Sequence, residues 1–268
     1  MLPYADNHIH SSLCGHAIGS PEDYVKQALK TGLQEIGFSD HAPMVHKPMP
    51  HVTMSLKELP LYQAMIEDVQ KQYATQISIK IALEADFMPG YENKTEAMTN
   101  SYPYDYIIGS VHFIDDWAFD DPAHREYWKN YNVDDVFRKY YALLRQSAQS
   151  GLYQIIGHCD LPKKFGARPS LDLSHEIKET ARVFKDSGVA IEINTSGLRK
   201  PIAEIYPDLN SLKIYHDFGV PLVFGSDAHD PNDVGRDFET AVKWALSAGY
   251  KEYVIFKNKK IEKVLPLL

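Results

Sequence analysis

"ISIKIALEADF", residues 77–87, is an apolar run that ends on two carboxylates, Glu84 and Asp86. It reads as a buried strand, and a strand that ends on acids invites a look at the other strands. The chain repeats the arrangement. "ADNHI" (5–9) carries His8, and His10 follows at once. "QEIGFS" (34–39) leads into Asp40 and His41. "YDYIIGSVHFI" (104–114) contains His112. "YQIIGH" (153–158) ends on His158, with Asp160 just beyond. "VAIEINTS" (189–196) carries Glu192 and Asn194, and "VPLVFGSDAH" (220–229) ends on Asp227 and His229.

Helical patterns separate these runs. In "SPEDYVKQALKTG" (20–32), Ser20 suits an N-cap, Pro21 the first turn and Gly32 the stop. Its two early acids favour the positive end of the helix. Further helices read at 55–74, 133–151, 173–188 and 237–249, and "EYVIF" (252–256) reads as a short final strand. Strands that alternate with helices predict a parallel sheet. A chain of 268 residues matches a (β/α) barrel. The strand count predicts a distorted (β/α)7 barrel, α/β in class and one domain over residues 1–268, with the active site at the C-terminal ends of the strands. An open doubly wound sheet is the alternative. No G-x-G-x-x-G follows the first strand, so a dinucleotide fold gains no support.

Composition narrows the function. The formal net charge of −8 argues against nucleic acid and anionic membrane as partners. No apolar run approaches the roughly 20 residues of a membrane span. The start, "MLPYADNHIH", has neither a basic nor an apolar signal region, so the compartment is read as cytoplasmic. Cys14 and Cys159 form no disulfide framework, yet each sits close to a histidine.

Strand after strand therefore delivers an imidazole or a carboxylate to one edge. His8 and His10 are two apart on a strand and face the same side, so they can chelate one ion. His16 follows in the next loop. Burying so many ionisable groups together costs several kcal/mol each unless cations offset them. Histidine with carboxylate suits zinc, iron or manganese. His46, His51, His124, His175 and His216 read as structural or solvated.

The ordered set "DNHIH", "CGHA", "SDHAP", "LEADF", "YDYIIGSVHFI", "IIGHCDLPKKFG", "EINTSGLRKP" and "GSDAHDP" resembles the PHP family of phosphoesterases. That family contains polymerase-associated domains and histidinol phosphatases, and the fifth and sixth segments resemble the latter. The resemblance implies a centre of three divalent metal ions. His8, His10, Glu84 and Asp227 would hold the first ion. Glu84 would bridge to a second, completed by His112 and His158. His16, His41 and His229 would hold the third. It also implies hydrolysis of a small phosphate monoester, L-histidinol phosphate, by water that the metals activate.

A guanidinium is expected to share the phosphoryl charge. Arg199 in "NTSGLRK" is the first candidate and Arg168 the second. Asp160 or a metal-bound water would protonate the leaving alkoxide. Trp117, in "FIDDWAFDD" after the fourth strand, would face the imidazole of the substrate, and the 46–51 stretch would also border it. The alternatives are a broader phosphoesterase or nuclease of the same family, and a non-catalytic metal-binding module. A nuclease would favour a basic groove, which the acidic balance does not suggest. A decayed module should lack ligands, and none is missing. An amidohydrolase-type barrel would usually present a metal-bridging lysine on a middle strand, where this chain has Glu84 and His112.

Overall fold

The structure is a computed structural model that describes residues 5–267; residues 1–4 and 268 of the single-domain reading lie outside it. The chain order begins β1 (Ala5–Ile9), α1 (Pro21–Thr31), β2 (Glu35–Phe38), α2 (Leu59–Tyr73), β3 (Ser78–Asp86), α3 (Glu92–Thr99) and β4 (Tyr106–Ser110). A small hairpin follows, β5 (Phe113–Ile114) and β6 (Trp117–Ala118), then α4 (Val133–Gln149), β7 (Ile155–Ile156), α5 (Ser174–Ser187) and β8 (Ala190–Asn194). The chain continues with α6 (Leu209–Asp217), β9 (Leu222–Gly225), α7 (Phe238–Ala248) and a terminal hairpin, β10 (Glu252–Lys257) with β11 (Lys260–Pro266).

Seven parallel strands form one sheet in the order β1-β2-β3-β4-β7-β8-β9. The sheet curls until its outer strands meet. His10 N donates to Ala228 O at 2.9 Å, and Ala228 N donates to His8 O at 3.2 Å. These bonds join β1 to the residues just after β9, so the barrel closes at the end where the polar residues collect. The helices pack outside on one large core. Helix α1 starts as its sequence predicts: Ser20 and Asp23 form a capping box and Gly32 ends the helix in the left-handed conformation.

The barrel interior follows from the two-residue period of a strand. Ala82, Ile108, Ala190 and Val223 point inward and form a small apolar layer with Tyr106, Ile155, Val254 and Phe256. Two residues further along the same strands lie Glu84, Ser110, Glu192 and Gly225. One step therefore converts an apolar plug into a polar floor. Val254 and Phe256 come from β10, so the predicted final strand does not extend the barrel. It pairs antiparallel with β11 and covers the apolar layer. Glycine is required opposite Tyr106, because a Cβ at Gly37 would lie 1.6 Å from the phenol oxygen, which donates to Asn7 O.

Two predicted strands are shorter than their apolar runs. The run at 104–114 leaves the barrel at Ser110 and forms the β5–β6 hairpin. The run at 153–158 pairs only through Ile155–Ile156, because His158 turns away with φ +23°.

Candidate metal centre

Glu84 stands at the middle of the polar floor and is fully buried at its carboxylate. His41 Nδ1 lies 2.8 Å from it, His158 Nε2 3.1 Å, His8 Nε2 3.4 Å, and His10 and His112 Nε2 3.7 Å each. Five imidazoles from four strand ends thus face one carboxylate. Asp227 approaches from β9, with Oδ1 3.1 Å from His10 Nε2 and 3.9 Å from His8 Nε2.

The outer nitrogens of four rings are tied down. His8 Nδ1 meets Glu192 Oε1 at 2.6 Å, and His112 Nδ1 meets Asp86 Oδ1 at 3.0 Å. His16 Nδ1 rests on Cys14 O at 3.1 Å, and His229 Nδ1 on Asp227 O at 3.0 Å. An acceptor behind the imidazole fixes its tautomer and aims the other nitrogen, which is how metal-binding histidines are held. The inner atoms lack partners: His8 Nε2, both His10 nitrogens, Glu84 Oε2 and His229 Nε2 are buried without a hydrogen bond. Buried polar atoms of native proteins are almost always paired. Ligand-type atoms that converge unpaired fit metal ions.

Charge makes the same point. Burial alone would raise the Glu84 carboxyl, but His8 and His41 outweigh it and hold it well below the usual range. Asp227 is likewise held down against its burial, by His8 and His10. Burial, helped by His41, pushes His10 down to about 3. Burial and His10 push His229 down too. His10 and His229 are therefore neutral donors, the form a metal requires. Asp227 also holds a left-handed backbone, φ +53°, an uncommon conformation for a residue with a side chain. Such outliers persist where the surroundings over-determine them.

Two of the expected ligand sets are brought together, the first without Glu84. His8, His10 and Asp227 have ligand atoms within 4.8 Å of one another, and so do Glu84, His112 and His158. Around the expected third ion, His229 groups with His10 and His41 on one side and with Cys14 and His16 on the other, within the same 4.8 Å.

A cavity of about 520 Å³ opens above this floor. His16, His41, Glu84, His112, His158, Asp227 and His229 line its base, while His8 and His10 lie fully buried beneath. Its walls include Met44, Met49, Phe113, Asp120, Lys164, Ser196, Lys200 and Tyr206.

The other predicted site residues are placed differently. Arg199 does not line the cavity; its Nη2 donates to Ser226 O at 2.6 Å and its Nε pairs with Asp233 at 3.1 Å. Its guanidinium ties two loops together. Arg168 is half-exposed and paired with Glu204, away from the cavity. Asp160 is buried under the cavity wall, where Oδ2 accepts from Lys163 Nζ and Asp208 N at 2.8 Å each. It braces a loop and is not among the residues that line the cavity. Trp117 is buried and stacks on Tyr131 at 4.1 Å; its neighbours Phe113 and Ala118 face the cavity instead.

Sequence reasoning did not single out Lys200, Lys164 or Asp120, all of which line the cavity, while His51 of the expected 46–51 stretch lines it too. Lys200 forms no ion pair among the described residues, whereas Lys164 Nζ meets Asp120 Oδ2 at 2.9 Å. Burial would raise Asp120, but Lys164 and His112 outweigh it and bring its carboxyl to about 2. The basic residues next to Arg199 and in "LPKKFG" were the available signal.

A family model for the PHP domain matches residues 6–196. The chain belongs to the PHP family. Among PHP relatives, a Deinococcus radiodurans protein named "Probable histidinol-phosphatase" is 40% identical over 98% of this chain and 100% of its own length. The Bacillus subtilis histidinol-phosphatase is 31% identical over 87% of this chain and 96% of its own. A crystal structure of histidinol phosphate phosphatase from Lactococcus lactis, complexed with zinc, L-histidinol and phosphate, superposes with a TM-score of 0.85. That match is at 25% identity and covers 98% of this chain and 100% of the other. No helix of the described residues is long and apolar enough to cross a membrane.

Proposed function

We infer that this PHP chain hydrolyses L-histidinol phosphate to L-histidinol and inorganic phosphate. The observation that carries the reading is the floor of the barrel: five imidazoles directed at Glu84, with His8 Nε2, both His10 nitrogens and Glu84 Oε2 buried without a hydrogen bond. The named relatives and the zinc-, histidinol- and phosphate-bound structure support the choice of substrate.

Three divalent ions fit the donor set, zinc first because the similar Lactococcus structure contains it. His8, His10, Glu84 and Asp227 would hold one, Glu84, His112 and His158 a second, and His16, His41 and His229 a third. When bound, the ions supply Lewis-acid stabilisation of the phosphoryl oxygens and make water acidic enough to attack phosphorus near neutral pH.

The chain's own residues do the rest. Lys200 replaces Arg199 as the cation for the phosphoryl group, since its ammonium faces the cavity without an ion-pair partner. A fixed cation placed where charge develops stabilises the transition state. Asp120 also lines the cavity, is held ionised and suits the ammonium of histidinol. Met44, Met49 and Phe113 give the imidazole an apolar surface. A 520 Å³ cavity suits a small monoester, and the acidic chain disfavours nucleic acid.

Phosphate release tests the reading. The metal-loaded protein should turn over L-histidinol phosphate with a higher kcat/KM than an aryl phosphate or a dinucleotide. Equal rates on both monoesters would make it a general phosphatase. Preference for the dinucleotide would make it a nuclease.

A further inference from the structure

The third group of donors contains an atom that the ligand sets above do not use. Cys14 is fully buried, and its Sγ lies within 4.8 Å of ligand atoms of His16 and His229. On its other side it lies equally close to ligand atoms of His10 and Asp40. Both His10 nitrogens are buried without a hydrogen bond, and so is His229 Nε2. Asp40 accepts from Ser11 Oγ and from His41 N, and it also faces the Cys14 thiol.

The backbone around the sulfur points the same way. Ser12–Cys14 form one 3-10 turn, and Gly15 reverses the chain at φ +83°. The reversal turns the following amides back toward the side chain. Ala17 N donates to Sγ at 3.3 Å, and His16 N also points at it. The two amides favour a thiolate, but burial and Asp40 outweigh them and push the free thiol up to about 12, so it is the converging donors, not the thiol's own acidity, that point to an ion here. The same reversal brings His16 beside the sulfur, so one four-residue turn presents two donors to one point.

We propose that the Cys14 sulfur is a ligand of the third ion, together with His16 and His229. The proposal rests on the metal-centre reading given above. On binding, the S–H bond breaks, a sulfur–metal bond forms and the proton leaves to solvent. A thiolate makes this position softer than the other two, which have only nitrogen and oxygen donors. Soft donors favour zinc and its analogues cobalt and cadmium over manganese. The third position should therefore hold zinc when manganese replaces it elsewhere.

Cobalt(II) provides the test. The full chain is reconstituted with cobalt, its bound metal counted, and its near-ultraviolet spectrum recorded. The wild type should show a sulfur-to-cobalt charge-transfer band. Cys159→Ala should keep the band, because Cys159 packs in the apolar core outside every donor group. Cys14→Ser should lose it and should bind the last equivalent of metal at least about 100-fold more weakly, more than the loss typical of a supporting residue. Three bound cobalt ions without the band in the wild type would overturn the proposal and leave the metal centre standing, whether or not the serine variant folds. A band that survives in Cys14→Ser would overturn it as well. Failure of the wild type to bind cobalt would overturn both readings.

Discussion

Glu192 reaches His8 through space that a side chain at position 225 would fill. Its Oε1 lies 2.6 Å from His8 Nδ1, while a Cβ added at Gly225 would lie 1.9 Å from that oxygen and 2.7 Å from His8 Cβ. Glu192 cannot simply swing aside, since Oε2 already accepts from His158 N at 3.1 Å and Asn194 Nδ2 at 3.0 Å. One glycine on β9 thus lets a carboxylate on β8 orient an imidazole on β1. Gly225→Ala should cost about 1–3 kcal/mol of stability from overpacking. It should also weaken metal binding roughly 10–100-fold by releasing His8 from its acceptor. Thermal unfolding and metal titration measure the two effects separately; unchanged metal affinity would show that Glu192 does not orient His8.

Glu84 is the carboxylate shared by the first two donor groups, so its loss should be worse than the loss of any one histidine. His112→Ala should remove about one equivalent of metal. Glu84→Ala should remove more than one, and turnover with it. Metal content measured beside phosphate release checks this. A chelated protein that kept full turnover would refute the metal mechanism altogether.

Much of this centre was readable before the fold was known. Eight of the nine ligand candidates sit at or just past strand ends, where apolar periodicity stops and a polar residue stands out, and His16 lies in the loop after β1. A closed parallel sheet brings such ends together by topology alone. The walls were not readable in that way. Arg199 and Lys200 are neighbours at the end of one 3-10 turn, Thr195–Arg199, yet only Lys200 lines the cavity. Which of two adjacent cations turns inward depends on partners far along the chain, here Ser226 and Asp233. Trp117 is a similar case, since its hairpin register turns the indole toward Tyr131 and leaves Ala118 to the cavity. The helix Glu92–Thr99 escaped notice because its few buried residues, Thr95, Met98 and Thr99, make no apolar stripe.

The two cations should behave oppositely when removed. Lys200→Ala should leave stability and metal content near normal. It should lower kcat/KM by about 2–4 kcal/mol of transition-state stabilisation, if it acts as a charge-stabilising group. Arg199→Ala should instead lower the unfolding free energy by about 1–3 kcal/mol, because it strands the buried acceptors it now serves. The folded fraction should keep most of its kcat/KM. A normal kcat/KM in Lys200→Ala would leave the phosphoryl charge to the metals or to Lys164.

Asp120 decides whether the cavity recognises the alcohol as well as the phosphate. Its carboxylate lines the cavity and is held low chiefly by Lys164, so it is available to a cation in the neutral range. L-Histidinol phosphate brings an ammonium; an aryl phosphate brings none. Asp120→Asn keeps the shape and removes the charge. The KM for L-histidinol phosphate should then rise about tenfold or more, matching the roughly 1.5–3 kcal/mol of a hydrogen bond to a charged group. The KM for the aryl phosphate should stay level or fall, because a negative wall no longer faces an anionic substrate. Metal content serves as the control for damage to His112. If both substrates lose affinity equally, Asp120 only holds Lys164 in place, and recognition of the amine must come from another wall of the cavity.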